Sequence, residues 1–378
     1  MKKLLGLALA LLVGACTSHT PPVPVPIPTP APTPTPHTGA LLHRQGTQVV
    51  NVKNEPVFFY GLAGCCEGWP ENGWPWATEG YLREAAAAGV NMVHIRLGPF
   101  YQHPDGESVF ALAYADAGGK ADLSKIRPEW KPGLRKFMYL AESLGIQVEV
   151  DLIDYWQVKY PAIHPWAAAN NVNGADYGSG YPLLEFEVTH HPFVESWLRD
   201  IVDAIGDFPN LHWQDGNELF IGSASKGYIL SERAVVRDQE ARRGFARHMF
   251  WSNSGREDLE NELEGTPDAL DGGNFHQDRA FPMNQGQRKL YTAQLPRGVN
   301  EYGGNLTPSQ YLVELKRARQ NGSFFILWRG AMSIEDYRAS LAQIAVAKAE
   351  VGAASRRLPD VPDGAYTKPK TGRGPKAH

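Results

Sequence analysis

Two glutamates stand out by what surrounds them. Glu218 closes "FPNLHWQDGNE", where an apolar run meets Gly216 and Asn217, and Glu301 sits inside "RGVNEYGG". Each lies at the end of a segment that reads as a buried strand. Two carboxyl groups facing each other over a substrate can break a glycosidic bond: one attacks or activates water, and the other protonates the leaving oxygen. A single glutamate at a strand end is ordinarily just solvated, so the chemistry depends on a fold that brings both segments to one rim.

Other strand ends carry groups suited to sugars. The first strand-like segment offers Glu67 and Trp69, the second His94 and Arg96, and the third Asp151, Asp154, Tyr155 and Trp156. The fourth gives Asn217 beside Glu218, the sixth Asn274 and His276, the seventh Asn300 and Tyr302 around Glu301, and the eighth Trp328 and Arg329. Aromatic rings offer flat apolar faces, and the polar groups offer hydrogen bonds to hydroxyls. Each has a plainer alternative. Arg96 can pair with a core carboxylate, His276 can be a structural histidine, and Trp69, Trp74, Trp76, Trp156 and Trp166 can pack loops. His190-His191 resembles a metal pair, but Pro192 and an amphipathic segment follow, so it reads as a helix entry. No zinc-like Cys/His spacing occurs, and neither a metal nor a cofactor is expected.

The elements that must position these residues alternate. "PVFFYGLAG", "NMVHIRLGPF", "QVEVDLIDYW", "LHWQDGNELF", "RHMFWSNS", "DALDGGNFHQ", "RGVNEYGGN" and "SFFILWRGA" read as strands, most of them followed by a helical pattern. Such alternation predicts an α/β protein with a parallel sheet and crossover helices. Eight units predict a closed (β/α)8 barrel, a TIM barrel, as a single domain with an N-terminal β-hairpin. No Gly-rich phosphate loop follows the first strand, and polar residues gather at many strand ends rather than at one switch point. In such a barrel the fourth and seventh strands can set Glu218 and Glu301 across the mouth.

With those residues in hand, the sequence resembles the clan A glycoside hydrolases, most of all the cellulase-like enzymes of glycoside hydrolase family 5. The resemblance covers nearly all of residues 41 to 350. It begins with "GTQVVNVKNEPVFFYGLAG", similar to that family's opening hairpin and first strand. The family's second-strand arginine falls on Arg96, its Asn-Glu on Asn217 and Glu218, its sixth-strand histidine on His276, its nucleophile on Glu301 and its eighth-strand tryptophan on Trp328. The resemblance implies a retaining reaction on β-linked glycan. Glu301 attacks the anomeric carbon, and Glu218 acts first as acid and then as base. Asn217 holds the sugar 2-hydroxyl, and Trp328 stacks on a ring. Arg96 favours the charge of Glu301, and charged Glu301 raises the pKa of Glu218. Tyr155, Trp156 and Trp69 join the substrate-binding set. Two departures point to a divergent branch. Strand three reads Asp151-Leu152-Ile153-Asp154 where the family often has Asp-Leu-His-Asn, and His276-Gln277-Asp278 replaces His-x-Tyr. The rival readings are a sugar-binding barrel without activity and, last, a metal-using hydrolase.

The chain ends speak to location. "MKKLLGLALALLVGAC" has two lysines and a short apolar run before Cys16, the pattern of a secretory signal peptide over residues 1–15. Val13-Gly14-Ala15-Cys16 resembles a bacterial lipobox, which implies lipid on Cys16; ordinary signal cleavage is the alternative. Thr17 in place of Asp favours the outer membrane in that pattern. Residues 16–40 carry proline at nearly every second position, a polyproline II spacer. By the resemblance, residues 41–355 are expected to form the hydrolase domain, and 356–378 read as a disordered basic tail. The formal charge is −4, which gives no footprint for nucleic acid. Cys65 and Cys66 are adjacent and read as buried thiols rather than a bridge. The expected partners are carbohydrate and, through the lipid alone, a membrane; the chain is expected to be monomeric. If Cys16 is the anchor, Cys16→Ser should move the protein from the membrane fraction to the soluble one. Unchanged fractionation would leave plain secretion as the reading.

Overall fold

The computed structural model describes residues 41–46, 48–64, 79–97, 113–159, 164–178, 181–217, 219, 224–252, 271–276, 297–302, 309, 312–313, 315, 324–328 and 334–353. All belong to the unit Pro36–His378. Cys16, Cys65 and Cys66 lie outside the described residues, as do the expected signal peptide, spacer and basic tail.

An antiparallel hairpin comes first. β1 (His43–Gln45) pairs with β2 (Gln48–Val50) after a turn at Gly46, whose φ of +59° suits glycine. β3 (Tyr60–Gly64) and β4 (Met92–Arg96) follow, with α1 (Glu79–Ala88) between them. A second hairpin, β5 (Tyr114–Asp116) with β6 (Ala121–Ile126), was not foreseen from the sequence. It precedes α2 (Trp130–Ser143) and β7 (Gln147–Asp151). Two short helices, α3 (Tyr155–Lys159) and α4 (Tyr181–Glu185), then lead to α5 (Pro192–Ile205), β8 (Leu211–Gln214), α6 (Lys226–Arg243) and β9 (Met249–Ser252). β10 (Gly272–His276), β11 (Arg297–Tyr302), β12 (Phe324–Trp328) and α7 (Ile334–Ala353) complete the described elements.

Eight of these strands, β3, β4, β7, β8, β9, β10, β11 and β12, pair in parallel in that order, and β12 returns to pair with β3. They close a barrel, and each contains the core of one of the eight segments read as strands. The neighbouring helices α7, α1, α2, α5 and α6 flank one another around it. α5 shows why they sit there. Proline opens it, Glu195 lies in its first turn, and Val194, Trp197, Leu198, Ile201, Val202 and Ile205 repeat every three or four residues as one buried face. α6 is capped by Ser225, whose Oγ accepts the Tyr228 N–H at 3.0 Å. Gly244 ends it in the left-handed region at φ +69°. The main apolar core lies between this layer and the outward strand residues Val93, Ile95, Val148, Val150 and Trp213. No helix among the described residues is long and apolar enough to cross a membrane.

A second core of Leu42, Val49, Phe59, Met92, Met249 and Trp251 joins the hairpin β1–β2 to the lower part of the barrel. Beside it lies His212. The Trp251 indole N–H, which can only donate, meets His212 Nδ1 at 3.2 Å, and Nε2 stands 3.0 Å from Gln147 Oε1. The ring is therefore neutral with its proton on Nε2. Burial, with the nearby His248 adding, pushes its pKa from 6.5 to about 3. Below pH 6.5 the unfolded chain takes up a proton that the native ring refuses. Folding stability then falls with decreasing pH by about 1.4 kcal/mol per pH unit for such a group, until its native pKa is reached. His212→Gln should therefore show a shallower loss of stability between pH 6.5 and 4 in urea melts. An unchanged slope would contradict this account of the ring.

Candidate active site

The last inward residues of three adjacent strands meet inside the barrel. Parallel pairing sets Arg96 of β4 beside Asp151 of β7, and Asp151 beside Gln214 of β8. His94 Nε2 lies 2.8 Å from Asp151 Oδ2. Gln214 Nε2 donates to Asp151 Oδ1. Arg96 serves two carboxylates: its Nε is 3.9 Å from Asp151 Oδ2 and its Nη1 3.6 Å from Asp154 Oδ2. These are ion pairs rather than hydrogen bonds at such distances. All of these side chains are buried, Arg96 included at 8 % exposure. A charge removed from water needs a partner, and here each has more than one. Among the described residues no group of three or more His, Cys, Asp or Glu is arranged to hold a metal.

Beyond β8 the chain turns outward and then back. Asp215 accepts the Ser252 hydroxyl at 2.8 Å and the Gly216 N–H at 2.9 Å. Gly216 has φ +153°, and a Cβ there would stand 2.0 Å from the carbonyl oxygen of Ile153. Only glycine lets the two backbones come so close. The next residue is then stapled to the chain after β7. Asn217 N–H donates to Ile153 O at 3.0 Å, and Tyr155 N–H donates to Asn217 O at 3.0 Å. Asn217 Nδ2 donates to Asp154 Oδ1 at 3.3 Å. Asp154 and Asn217 thus pair in parallel beyond the ends of both strands. Glu218 follows directly on the peptide; its own placement lies outside the described residues.

The remaining expected site residues fall as follows. Glu301 lies in β11, separated from β8 by β9 and β10. The pairing of β11 with β12 shifts by one residue between Val299 and Tyr302, a bulge that contains Asn300 and Glu301. His276 ends β10 and pairs with Asn300, and Trp328 ends β12 and pairs with Ala63. Trp156 lies in α3. Trp69 and Glu67 lie outside the described residues, as do Gln277 and Asp278. One reading needs correction. The third strand stops at Asp151, so Tyr155 and Trp156 belong to a helix, because the bridge at Asp154 ends the extended chain. Tyr155 is 3 % exposed and lies in the main core. Ile153, where the resembling family has histidine, is likewise part of that core.

Several polar residues escaped the sequence reading. Gln214 and Glu149 are inward and fully buried. On α6, Glu232 and Tyr228 are also fully buried, and among the described residues neither carboxyl oxygen nor the hydroxyl has a hydrogen-bond partner. Burial pushes the Glu232 carboxyl well above its ordinary value, and the charges of Asp215 and Asp151 add to this, so it is held neutral. A signal for the inward set existed. Met92, His94 and Arg96, then Gln147, Glu149 and Asp151, then His212 and Gln214 alternate with apolar residues at the strand period of two.

Protein-family models and curated proteins give no match to this sequence. Solved structures do. An endo-1,4-β-mannanase from Rhizomucor miehei superposes with a TM-score of 0.56 at 12% identity, over 82% of this chain and 99% of its own. A glycoside hydrolase family 5 mannosidase from the same organism, solved as a Glu-to-Ala mutant with mannosyl-fructose, gives 0.54 at 11% identity, over 83% and 99%. The chain has the fold of the family 5 glycoside hydrolases. A provisionally assigned glycoside hydrolase of Bacteroides vulgatus gives 0.56 at 12% identity over 84% of this chain, which spans only 62% of that structure's length. In this (β/α)8 fold, active sites sit at the C-terminal ends of the strands. Arg96, Asp151, Gln214, Asn217 and Glu301 all occur at such ends.

The Gly216 contact yields a test. Gly216→Ala must push the Ile153 carbonyl away or break the Asn217 staple, at a cost of about 3 kcal/mol or more. Chemical denaturation should register that loss. A variant within about 0.5 kcal/mol of the parent, the range of an ordinary surface substitution, would contradict the close approach.

Proposed function

We propose that this chain is a retaining glycoside hydrolase of β-linked glycans, with Glu301 as nucleophile and Glu218 as acid and base. The observation that carries the reading is the pairing of Asp154 with Asn217 at the rim of the barrel. It ties the residue before Glu218 to the chain leaving β7, in the same barrel whose β11 bulge contains Glu301. The shared fold supports the reading.

In the first step Glu301 carboxylate attacks the anomeric carbon. The glycosidic bond breaks, and its oxygen takes the proton of Glu218. In the second step Glu218 removes a proton from water, and the resulting oxygen displaces Glu301 from the sugar. A retaining pair of this kind works with its carboxyl groups about 5–5.5 Å apart. Asn217 would hold the 2-hydroxyl, and His276 and Trp328 end strands on the same rim and would border the sugar. Mannan-type glycans are the first substrates to try, since two of the compared structures are a mannanase and a mannosidase. The lipid anchor at Cys16 belongs to the same proposal: a surface-bound enzyme raised on its proline spacer, acting on polysaccharide outside the cell.

Glu301→Ala should abolish turnover while sugar affinity stays nearly intact. Azide should then restore activity and give a glycosyl azide of inverted configuration. In Glu218→Ala the attack survives, so substrates with good leaving groups should lose less in the first step than natural glycans. There, azide should give a product of retained configuration. A parent chain that binds glycan and hydrolyses nothing across a broad panel, and binds equally well with both glutamates removed, would sink the proposal in favour of a sugar-binding barrel.

A further inference from the structure

Two histidines lie buried in the connection from β7 to α5. His164 is 1 % exposed and His191 6 %, and among the described residues no ring nitrogen of either has a hydrogen-bond partner. Such a site tolerates a neutral imidazole and penalises an imidazolium. Each ring also lies where a loop closes. The His164 ring stands near the Gly178 carbonyl, outside hydrogen-bond geometry, and so brings together the two ends of the stretch 164–178. The His191 ring packs on the Tyr177 ring at 4.7 Å between centroids and stands near the Leu183 carbonyl. It thereby joins Tyr177 and α4 to the start of α5. We infer that these two rings form an acid-operated latch: neutral, they close the β7–α5 connection, and charged, they open it while the barrel stays folded. The inference stands whether or not the barrel hydrolyses glycan.

The surrounding charges do not rescue the cation. Burial pushes the His164 ring from 6.5 down to about 4, outweighing the Gly178 carbonyl and the exposed Asp176, which favour its charged form. Burial also pushes His191 down, and the neighbouring His190 adds to this against the Leu183 carbonyl. His191 immediately precedes α5, at the positive end of the helix dipole, where a cation is unfavourable. The other ionisable groups on the surrounding segments are Tyr114 and Asp122 of the β5–β6 hairpin, Tyr177, Glu185 of α4, Glu187 before α5, Glu195 of α5, and Lys226 and Glu232 of α6. None of them bonds to either ring nitrogen. The remaining ties of this stretch are indifferent to mild acid. The Asn171 amide accepts the Asn173 and Ala175 N–H groups and donates to the Pro165, Ala167 and Ala175 carbonyls. Asp122, which receives Asn173, is held well below the usual carboxylate range by Lys125 and Ser124. The two rings are what acid reaches first.

Acid favours the open state. An opened ring regains its ordinary pKa of 6.5 and takes a proton below it, whereas the closed His164 refuses one until about pH 4. Opening therefore becomes about tenfold more favourable per pH unit for His164 in that window, and His191 adds in the same direction. Hydrogen exchange of the full-length chain measures this, read by mass spectrometry of its peptides and corrected for the intrinsic pH dependence of exchange. Between pH 6.5 and 4.5, peptides covering 164–178 and 183–191 should lose protection by about 100-fold or more. Peptides from β4, β7 and β8 should keep theirs. Unchanged protection in the two loops would overturn the inference. So would equal loss in loops and strands, which is plain acid unfolding.

Combining His164→Phe with His191→Phe keeps a flat ring at each site that cannot be charged. The double variant should retain loop protection at pH 4.5, and the same loss as in the parent would overturn the inference. Should that variant fold poorly, the parent's own rings decide. Their imidazole carbon–proton signals are assigned by disappearance in His164→Gln and His191→Gln. Both rings should remain neutral at pH 6 and charge only as the loop peptides lose protection. A ring that charges while the loops stay protected would mean that the two histidines are mere packing.

Discussion

The carbonyl oxygen of Ile153 lies so close to Gly216 that a single methyl group on that glycine would stand 2.0 Å from it. The chain leaving β7 and the chain leaving β8 are consequently one piece of structure. Two backbone hydrogen bonds and one side-chain hydrogen bond join Ile153, Asp154 and Tyr155 to Asn217. Whatever Glu218 does, its backbone departs from a residue that cannot drift. Precise work on a bound ligand needs such support, because groups on free loops wander by more than the tolerance of a reaction.

The same region departs from the usual filling of a closed barrel, where layers of branched apolar side chains dominate. Here His94, Arg96, Glu149, Asp151 and Gln214 occupy inward positions and are buried. Apolar packing is displaced to the layer beneath the helices and to the lower cluster around Phe59, Met92 and Trp251. Desolvating so many polar groups is unfavourable, and it is offset by mutual pairing. Asp151 receives His94, Gln214 and the field of Arg96, and Arg96 is shared with Asp154. Removing any one partner would leave a buried group uncompensated, which makes the network stiff and its members interdependent.

Much of this was legible in the sequence. Seven of the eight barrel strands end in a polar or aromatic residue, and along β4, β7 and β8 inward polar side chains alternate with apolar ones at the strand period. The longer helices α1, α2, α5, α6 and α7 were legible from their periodicity. Three things were not. The β5–β6 hairpin is made of short strands around Gly118 and Gly119, too brief for alternation to register. Tyr155 and Trp156 extend an apolar run and so read as strand, whereas the bridge from Asp154 to Asn217 ends the strand direction and a helix begins. The partnership of Asp154 with Asn217 joins residues far apart in sequence. Spacing along the chain contains no information on it until the strand register is known.

As the proposed nucleophile, the Glu301 carboxylate would form a covalent bond to the sugar. The most direct measurement is trapping with an activated 2-deoxy-2-fluoro β-glycoside of the preferred substrate, followed by mass spectrometry of the intact protein and its peptides. The account predicts a gain of one fluorosugar per chain, located on the peptide that contains Glu301, with loss of activity in step with labelling. An enzyme that turns over substrate yet acquires no label, or carries it on another residue, would contradict the account.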